Sequence, residues 1–97
     1  MDKIRSYISI AAKAGAVTSG ALSLEKCVRS RKAKLVLIAE DASEGTKKEW
    51  KALCEANKVP CRVCGTKEML GRSCGREYRA ALALTDKGLA DAVLANL

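Results

Sequence analysis

Histidine is absent from this 97-residue chain, so the side chain most often used as a general base and metal ligand is missing. A Ser/His/Asp triad and a Cys/His site are therefore excluded. The acidic pair Glu40 and Asp41, at the end of a predicted strand, could mimic a catalytic carboxylate pair. We interpret both acids instead as residues at the start of the following helix, where negative charge is stabilising. The sequence predicts a protein that is not an enzyme and that uses no cofactor and no metal.

Cysteine is present, but its number and spacing favour reduced thiols. The five cysteines are odd in number and irregularly spaced, so no disulfide framework is implied. Cys61 and Cys64 have the C-x-x-C spacing of redox and zinc sites, yet residues three apart in a strand face opposite sides of a sheet. No second pair completes a zinc site. We expect small apolar core residues here, with a thiol enzyme or zinc site as the alternative.

Long apolar runs are missing too, and aromatic residues are few. No stretch reaches the ~18–20 residues that a membrane-spanning helix needs. The opening segment MDKIRSYISIAAKAGA mixes charges and hydroxyls into its apolar positions, unlike an export signal, so we expect a cytoplasmic protein. With only Trp50, Tyr7 and Tyr78 as aromatics, aliphatic residues and alanine must supply the core. The length predicts one domain over residues 1–97.

Helical and extended patterns alternate along the chain, which predicts an α/β fold with helices on both faces of a sheet. KLVLIA, without apolar and polar alternation, is typical of a strand buried on both faces. CRVCG, RAALALT and a short stretch around Val17 are the other predicted strands. The predicted helices run from Asp2 to Ala14, from Ser19 or Gly20, from Ser43 or Thr46, within TKEMLGRSCG, and from Thr85 or Asp86. The apolar faces of the second and last helices are predicted to be Ala21, Leu24, Cys27 and Val28, and Ala90, Val93, Leu94 and Leu97.

Positive charge dominates, with 18 Lys and Arg against 11 acids and a formal net charge of +7. Such a balance favours polyanionic partners, and RNA, DNA and anionic membrane all remain open. In the second helix, the apolar face leaves Leu22 pointing at solvent, beside the polar and cationic residues Ser23, Lys26 and Arg29. An exposed leucine among cations at a helix N-terminus is a candidate contact patch, since free N–H groups there favour phosphate.

Two further basic clusters lie along the chain. Arg31, Lys32 and Lys34 extend the positive region of the second helix toward the next strand. Arg72, Arg76 and Arg79 form the other cluster, in which Tyr78 can stack on a base. Convergence of the basic regions at one end of the sheet would form a cleft for nucleic acid.

The segments GALSLEKCVRSRKAKLVLIAEDAS, NKVPC, GTKEMLGRSCG and LTDKG, in this order and spacing, resemble the L7Ae/L30e family of ribosomal proteins, and within it the small bacterial members. The similarity runs from about Ile4 to Ala95. It implies a three-layer α/β/α sandwich with a mixed sheet of roughly four strands. It also implies a monomer that binds kink-turn RNA, a bent internal loop flanked by sheared G·A pairs, in association with the ribosome.

The resemblance also assigns roles by position. Gly20 matches the glycine at which the second helix begins, Lys26 the helix lysine, Asp41 the acid after the first long strand, and Arg76, Glu77 and Tyr78 the loop over an extruded nucleotide. Where archaeal and eukaryotic members carry Asn-Glu, this chain has Leu22 and Ser23, and leucine cannot read a base edge. Phosphate contacts remain available, so we expect affinity with relaxed or altered RNA choice.

The complete set of expected RNA contacts is Gly20, Leu22, Ser23, Lys26, Arg29, Lys34, Asp41, Arg76, Glu77 and Tyr78. The alternative is a protein-interaction or regulatory module on the same fold, without kink-turn specificity.

Overall fold

A computed structural model describes residues 2–97 as a four-stranded sheet covered by five helices. The elements in chain order are α1 (Asp2–Lys13), β1 (Val17–Ser19), α2 (Ala21–Arg29), β2 (Leu35–Ile38), α3 (Glu44–Ala56), β3 (Cys61–Val63), α4 (Lys67–Ser73), β4 (Ala81–Leu84) and α5 (Lys87–Ala95). Among these described residues, no helix is long and apolar enough to cross a membrane.

The sheet is mixed, with strand order β1-β4-β2-β3. Strand β4 runs antiparallel to both β1 and β2, while β2 and β3 are parallel. Every residue of the two central strands β2 and β4 is buried, which is why their sequences are continuous apolar runs. Helices α2 and α3 pack together on one face of the sheet, and α1 packs with α4 and α5 on the other. The predicted three-layer α/β/α sandwich with a mixed sheet is confirmed.

Side-chain caps fix the helix starts that the sequence left open. Ser43 caps α3, since the Thr46 N–H donates to its hydroxyl at 3.1 Å. Asp86, and not Thr85, caps α5 by accepting from the Leu89 N–H at 2.9 Å. Each such bond satisfies one of the backbone donors left free in the first turn of a helix.

Two residues assigned to buried helix faces are exposed. Ala21 is the first residue of α2, so no preceding turn covers it. Leu97 lies beyond the end of α5 and is 52% exposed, because the chain has left the helical register that buries Ala90 and Val93. Those two predictions were wrong, and both errors fall at helix ends, where periodicity stops determining burial.

Candidate nucleic-acid interface

The first turn of α2 presents unoccupied backbone donors. Gly20 precedes the helix at φ 93°, a conformation that glycine adopts without steric cost, and no side chain of the described residues caps the helix. The Leu24 N–H already donates to the Gly20 carbonyl at 2.8 Å, which leaves the amides of the three residues before it facing outward. Oriented N–H groups at a positive helix end form a binding site for phosphate.

Leu22 lies on the outside of this turn and is 80% exposed, so its predicted orientation is confirmed. Ser23 and Lys26 are also exposed. Arg29 lies in the last turn and its Nε is 3.3 Å from the carboxylate of Glu25. The outer face of α2 therefore offers an apolar contact and a hydroxyl in its first turn and the cation Lys26 one turn later, while the charge of Arg29 is partly offset.

The loop between α4 and β4, residues 74–80, lies next to the first turn of α2, and we call it the tyrosine-bearing loop after Tyr78. Ser23 and Arg76 line one depression of about 340 Å³. Gly20 and Tyr78 line a second of about 190 Å³. The Arg79 guanidinium donates from Nε to the hydroxyl of Ser19, at 3.1 Å, which ties the loop to the residue just before Gly20. The start of α2 and the tyrosine-bearing loop therefore form one continuous surface.

Helix α4 holds this loop by close backbone packing at Gly71. A β-carbon at Gly71 would lie 2.6 Å from the carbonyl oxygen of Glu77 and 2.7 Å from the nitrogen of Tyr78. The Arg76 N–H donates to the Gly71 carbonyl at 2.7 Å, and the Arg79 N–H donates to the Lys67 carbonyl at 3.0 Å. Only glycine allows this approach. This role of Gly71 was not predicted from the sequence, although an isolated glycine inside a helix is a signal for close packing.

Asp41 acts through α4. Its Oδ1 accepts a hydrogen bond from the Lys67 N–H, the first residue of α4, at 2.8 Å. The expectation that this acid serves the following helix was wrong, because Ser43 caps α3 and Asp41 reaches across to a later helix. A carboxylate at a helix N-terminus is stabilising, and here it fixes the helix that carries the loop. Asp41 is therefore a positioning residue for the loop.

Glu77 and Tyr78 form the outer edge of the loop. Both are exposed, Tyr78 by 60%, and they line a depression of about 200 Å³ with Glu68 and Arg72. Arg72 Nη2 lies 3.2 Å from the carboxylate of Glu68, so the charge of Arg72 is partly offset. The exposed tyrosine ring remains available for stacking.

Lys34 is separated from these residues by the length of the sheet. Its N–H donates at 2.7 Å to the carbonyl of Leu84, at the end of β4 where the chain leaves the strand. The tyrosine-bearing loop enters β4 at the other end, next to Ala81. The structure does not bring Lys34 to the start of α2. Arg29 lies about 12 Å along α2 from its first residue, at 1.5 Å per residue, and its side chain lines a groove together with Ala21 and Leu22.

We call the residues that do come together the first-turn surface. Its members are Gly20, Leu22, Ser23, Arg76, Glu77, Tyr78 and Arg79, together with Lys26, which lies one turn after Leu22 on the same face of α2. It combines free helix N–H groups, three cations against one acid, an exposed aromatic ring and an exposed leucine. Such a surface can bind phosphates and stack on an unpaired base, and it offers no side-chain amide at Leu22 for reading a base edge.

The neighbour of Cys61 in the structure is Cys54, and not Cys64 of the C-x-x-C spacing. The interaction between the thiols of Cys54 in α3 and Cys61 in β3 raises the pKa of Cys54 and lowers that of Cys61. Lys51 and Arg62 further lower the pKa of Cys61, whereas burial and the charge of Glu40 raise that of Cys64. Within residues 2–97, no three His, Cys, Asp or Glu side chains are grouped to hold a metal ion. Cys61 packs half-buried against the core, with the Cys54 thiol beside it.

Comparison with known proteins places this α/β/α sandwich in a defined class. The model of the Ribosomal protein L7Ae/L30e/S12e/Gadd45 family matches residues 2–94. The chain belongs to this family, as the sequence resemblance predicted.

Individual relatives cover nearly the whole chain. RNA-binding protein YlxQ of Bacillus subtilis (strain 168) is 39% identical over 90 residues, which cover 93% of this chain and 90% of the relative. A solved structure of a protein with unknown function from Bacillus halodurans has a TM-score of 0.90 at 30% identity, covering 96% of this chain and 94% of that one. The Giardia lamblia 15.5kD RNA binding protein has a TM-score of 0.79 at 27% identity, covering 96% and 80%.

Proposed function

We propose that this protein is a non-enzymatic RNA-binding module that recognises kink-turn or similarly bent RNA through the first-turn surface. The observation that carries the proposal is the contact between the start of α2 and the loop of Arg76 to Arg79, through the bond from Arg79 to Ser19. A bent RNA presents closely spaced phosphates and an unstacked base at one place, and this surface offers partners for both.

Each part of the surface has a separate role in the proposal. The free amides at the start of α2, with Lys26 and Arg76, bind phosphates. Tyr78 stacks on a base that the bend has removed from the helix. Leu22 contributes apolar contact only, so the RNA is selected by its shape and not by hydrogen bonds to the G·A pairs.

The relatives support RNA as the ligand, because two proteins that match nearly the whole chain are named as RNA-binding proteins. The family includes ribosomal proteins, and we propose ribosomal RNA as the source of the bent RNA and the cytoplasm as the place of binding, with the protein acting as a monomer.

The test is a titration of a kink-turn RNA and its unkinked duplex control at several salt concentrations. We expect tighter binding to the bent RNA, and a slope of log affinity against log salt of about −0.7 to −0.9 for each phosphate contacted. Arg76→Gln should weaken binding to both RNAs, whereas Tyr78→Ala should weaken mainly the bent one. Equal binding of both RNAs by the unmodified protein would reject the bent-RNA proposal.

A second candidate function is a protein-interaction module, favoured by a groove at Leu22 whose lining combines apolar and charged residues. The groove, of about 290 Å³, lies between α2 and α3 and includes Trp50 and Leu53. An affinity purification that recovers the same protein partner before and after ribonuclease treatment, and loses it with Leu22→Ser, would favour this function. Loss of the partner after ribonuclease would count against it.

A further inference from the structure

A second cationic surface lies at the end of the sheet opposite the first-turn surface. It is a groove of about 370 Å³, which we call the basic groove, lined by Arg31, Ala33, Lys34, Asn57, Lys58, Val59, Pro60, Lys87, Asp91 and Leu94. Four of these residues are cations and one is an acid. The Lys87 Nζ lies 2.9 Å from the carboxylate of Asp91, which leaves the charges of the other three cations without an acid in the groove.

The backbone at two of these cations is in a conformation that normally selects glycine. Arg31 has φ 60° and Lys58 has φ 58°, and they are the two non-glycine residues of the described chain with positive φ. Each follows directly after the C-cap of a helix, Arg31 after α2 and Lys58 after α3. Glycine or asparagine is the common residue at this position, because a β-carbon there meets the following carbonyl.

Attraction between a cation and the negative end of the helix dipole does not account for the presence of Arg31 and Lys58 at these left-handed positions. A cation near a helix C-terminus is stabilised by the helix dipole, but this gain is smaller than the steric cost of left-handed backbone at a residue with a β-carbon. Both strained positions carry a long cation, and both cations face the same groove. The left-handed backbone itself closes the hydrogen bonds from Lys32 to Cys27 and from Val59 to Cys54 that end the two helices, so what remains to be explained is the long cation at both positions.

The composition of the groove fits a polyanion backbone. Val59, Pro60 and Leu94 supply apolar lining along which the long cationic side chains can lie, with their charged ends toward solvent. Several cations over a groove of low polarity raise the local concentration of an anion. The groove has no exposed aromatic ring, so it offers phosphate contacts and no base stacking.

We propose that the basic groove binds the phosphate backbone of a second segment of the same RNA that the first-turn surface holds. This inference rests on the proposed function. The Cα atoms of the protein span 28 × 25 × 23 Å, so a stem that is longer than the protein is long enough to reach from the first-turn surface to the basic groove. Lys34, which lies too far from the start of α2 to join the first-turn surface, belongs to this second contact.

The test compares a short kink-turn RNA with the same RNA whose stems are each longer by one helical turn. Arg31→Gly with Lys58→Gly removes two cations while placing the preferred residue at each left-handed position, so folding is retained. A matched control, Lys48→Gln with Lys51→Gln, removes the same charge from exposed positions of α3. Arg76→Gln reports separately on the first-turn surface.

We expect the glycine pair to bind the long RNA at least tenfold more weakly than the unmodified protein does in low salt, and to bind the short RNA as before. The salt slope for the long RNA should fall by about 1.4–1.8, the contribution of two phosphates, and the control pair should keep it. If the protein with both glycine substitutions bound the long RNA with unchanged affinity and unchanged salt slope, the proposal that the basic groove binds RNA would be overturned. A loss with the glycine pair but none with Arg76→Gln would show that the basic groove binds RNA without the first-turn surface, and would overturn the proposed joint contact.

Discussion

Gly71→Ala tests whether α4 positions the tyrosine-bearing loop. The new β-carbon would lie 2.6 Å from the Glu77 carbonyl oxygen, whereas non-bonded heavy atoms prefer about 3.5–4.0 Å. The loop must therefore move by about 1 Å, which also weakens the 2.7 Å bond from the Arg76 N–H to the Gly71 carbonyl. Overpacking of this kind costs about 1–3 kcal/mol, partly offset by the gain of up to ~1 kcal/mol when alanine replaces glycine in a helix.

The effect on RNA binding should exceed the effect on stability. Displacing Tyr78 removes a stacking contact worth about 1–3 kcal/mol, which corresponds to roughly 5- to 150-fold in affinity. Fluorescence anisotropy with the kink-turn RNA measures the affinity, and urea unfolding measures the stability. Gly45→Ala is the matched control, because nothing lies within 4 Å of its β-carbon position in α3. A Gly71→Ala protein that binds and unfolds like the Gly45→Ala protein would refute the reasoning.

Two further predictions concern a thiol and a backbone conformation. Cys61 should react with iodoacetamide at lower pH than an ordinary thiol, because the neighbouring thiol of Cys54 and the charges of Lys51 and Arg62 lower its pKa. Cys54→Ala should shift the pH profile of the labelling rate to higher pH. Mass spectrometry of the labelled peptide measures both profiles, and coincident profiles would contradict the prediction. Lys58→Gly and Lys58→Ala both remove the cation, but only glycine adopts the left-handed backbone at this position without steric cost. The Lys58→Gly protein should therefore be more stable than the Lys58→Ala protein by about 1 kcal/mol in urea unfolding. Equal unfolding midpoints of the two variants would contradict this.

The layers of the fold were predictable because they depend on long, consistent patterns. The continuous apolar run of β2 predicts a central strand, and four buried residues in a row confirm it. The errors at Ala21 and Leu97 concern helix ends, where one residue of difference in the boundary changes which side chains are covered. The spacing of apolar residues predicts which side chains are buried inside a helix or strand, but it does not predict burial at the ends.

The parts of the site that the sequence did not predict are long-range contacts. The bond from Lys67 to Asp41 joins residues 26 apart, and the bond from Arg79 to Ser19 joins residues 60 apart. Neither pair has a local pattern. The position of Lys34 at the far end of the sheet follows from the directions of β2 and β4, which the amino-acid sequence alone does not reveal. Proximity in sequence made Lys34 a neighbour of α2, and the sheet topology separates it from the start of that helix.

Amide hydrogen exchange with and without the kink-turn RNA tests the central claim most directly. The N–H groups of Ala21, Leu22 and Ser23 have no side-chain cap, so they should exchange rapidly in the free protein. If the first-turn surface binds RNA, these amides and those from Arg76 to Arg79 should become protected together when the RNA is added. Protection confined to other parts of the chain, with the start of α2 exchanging as fast as before, would contradict the account.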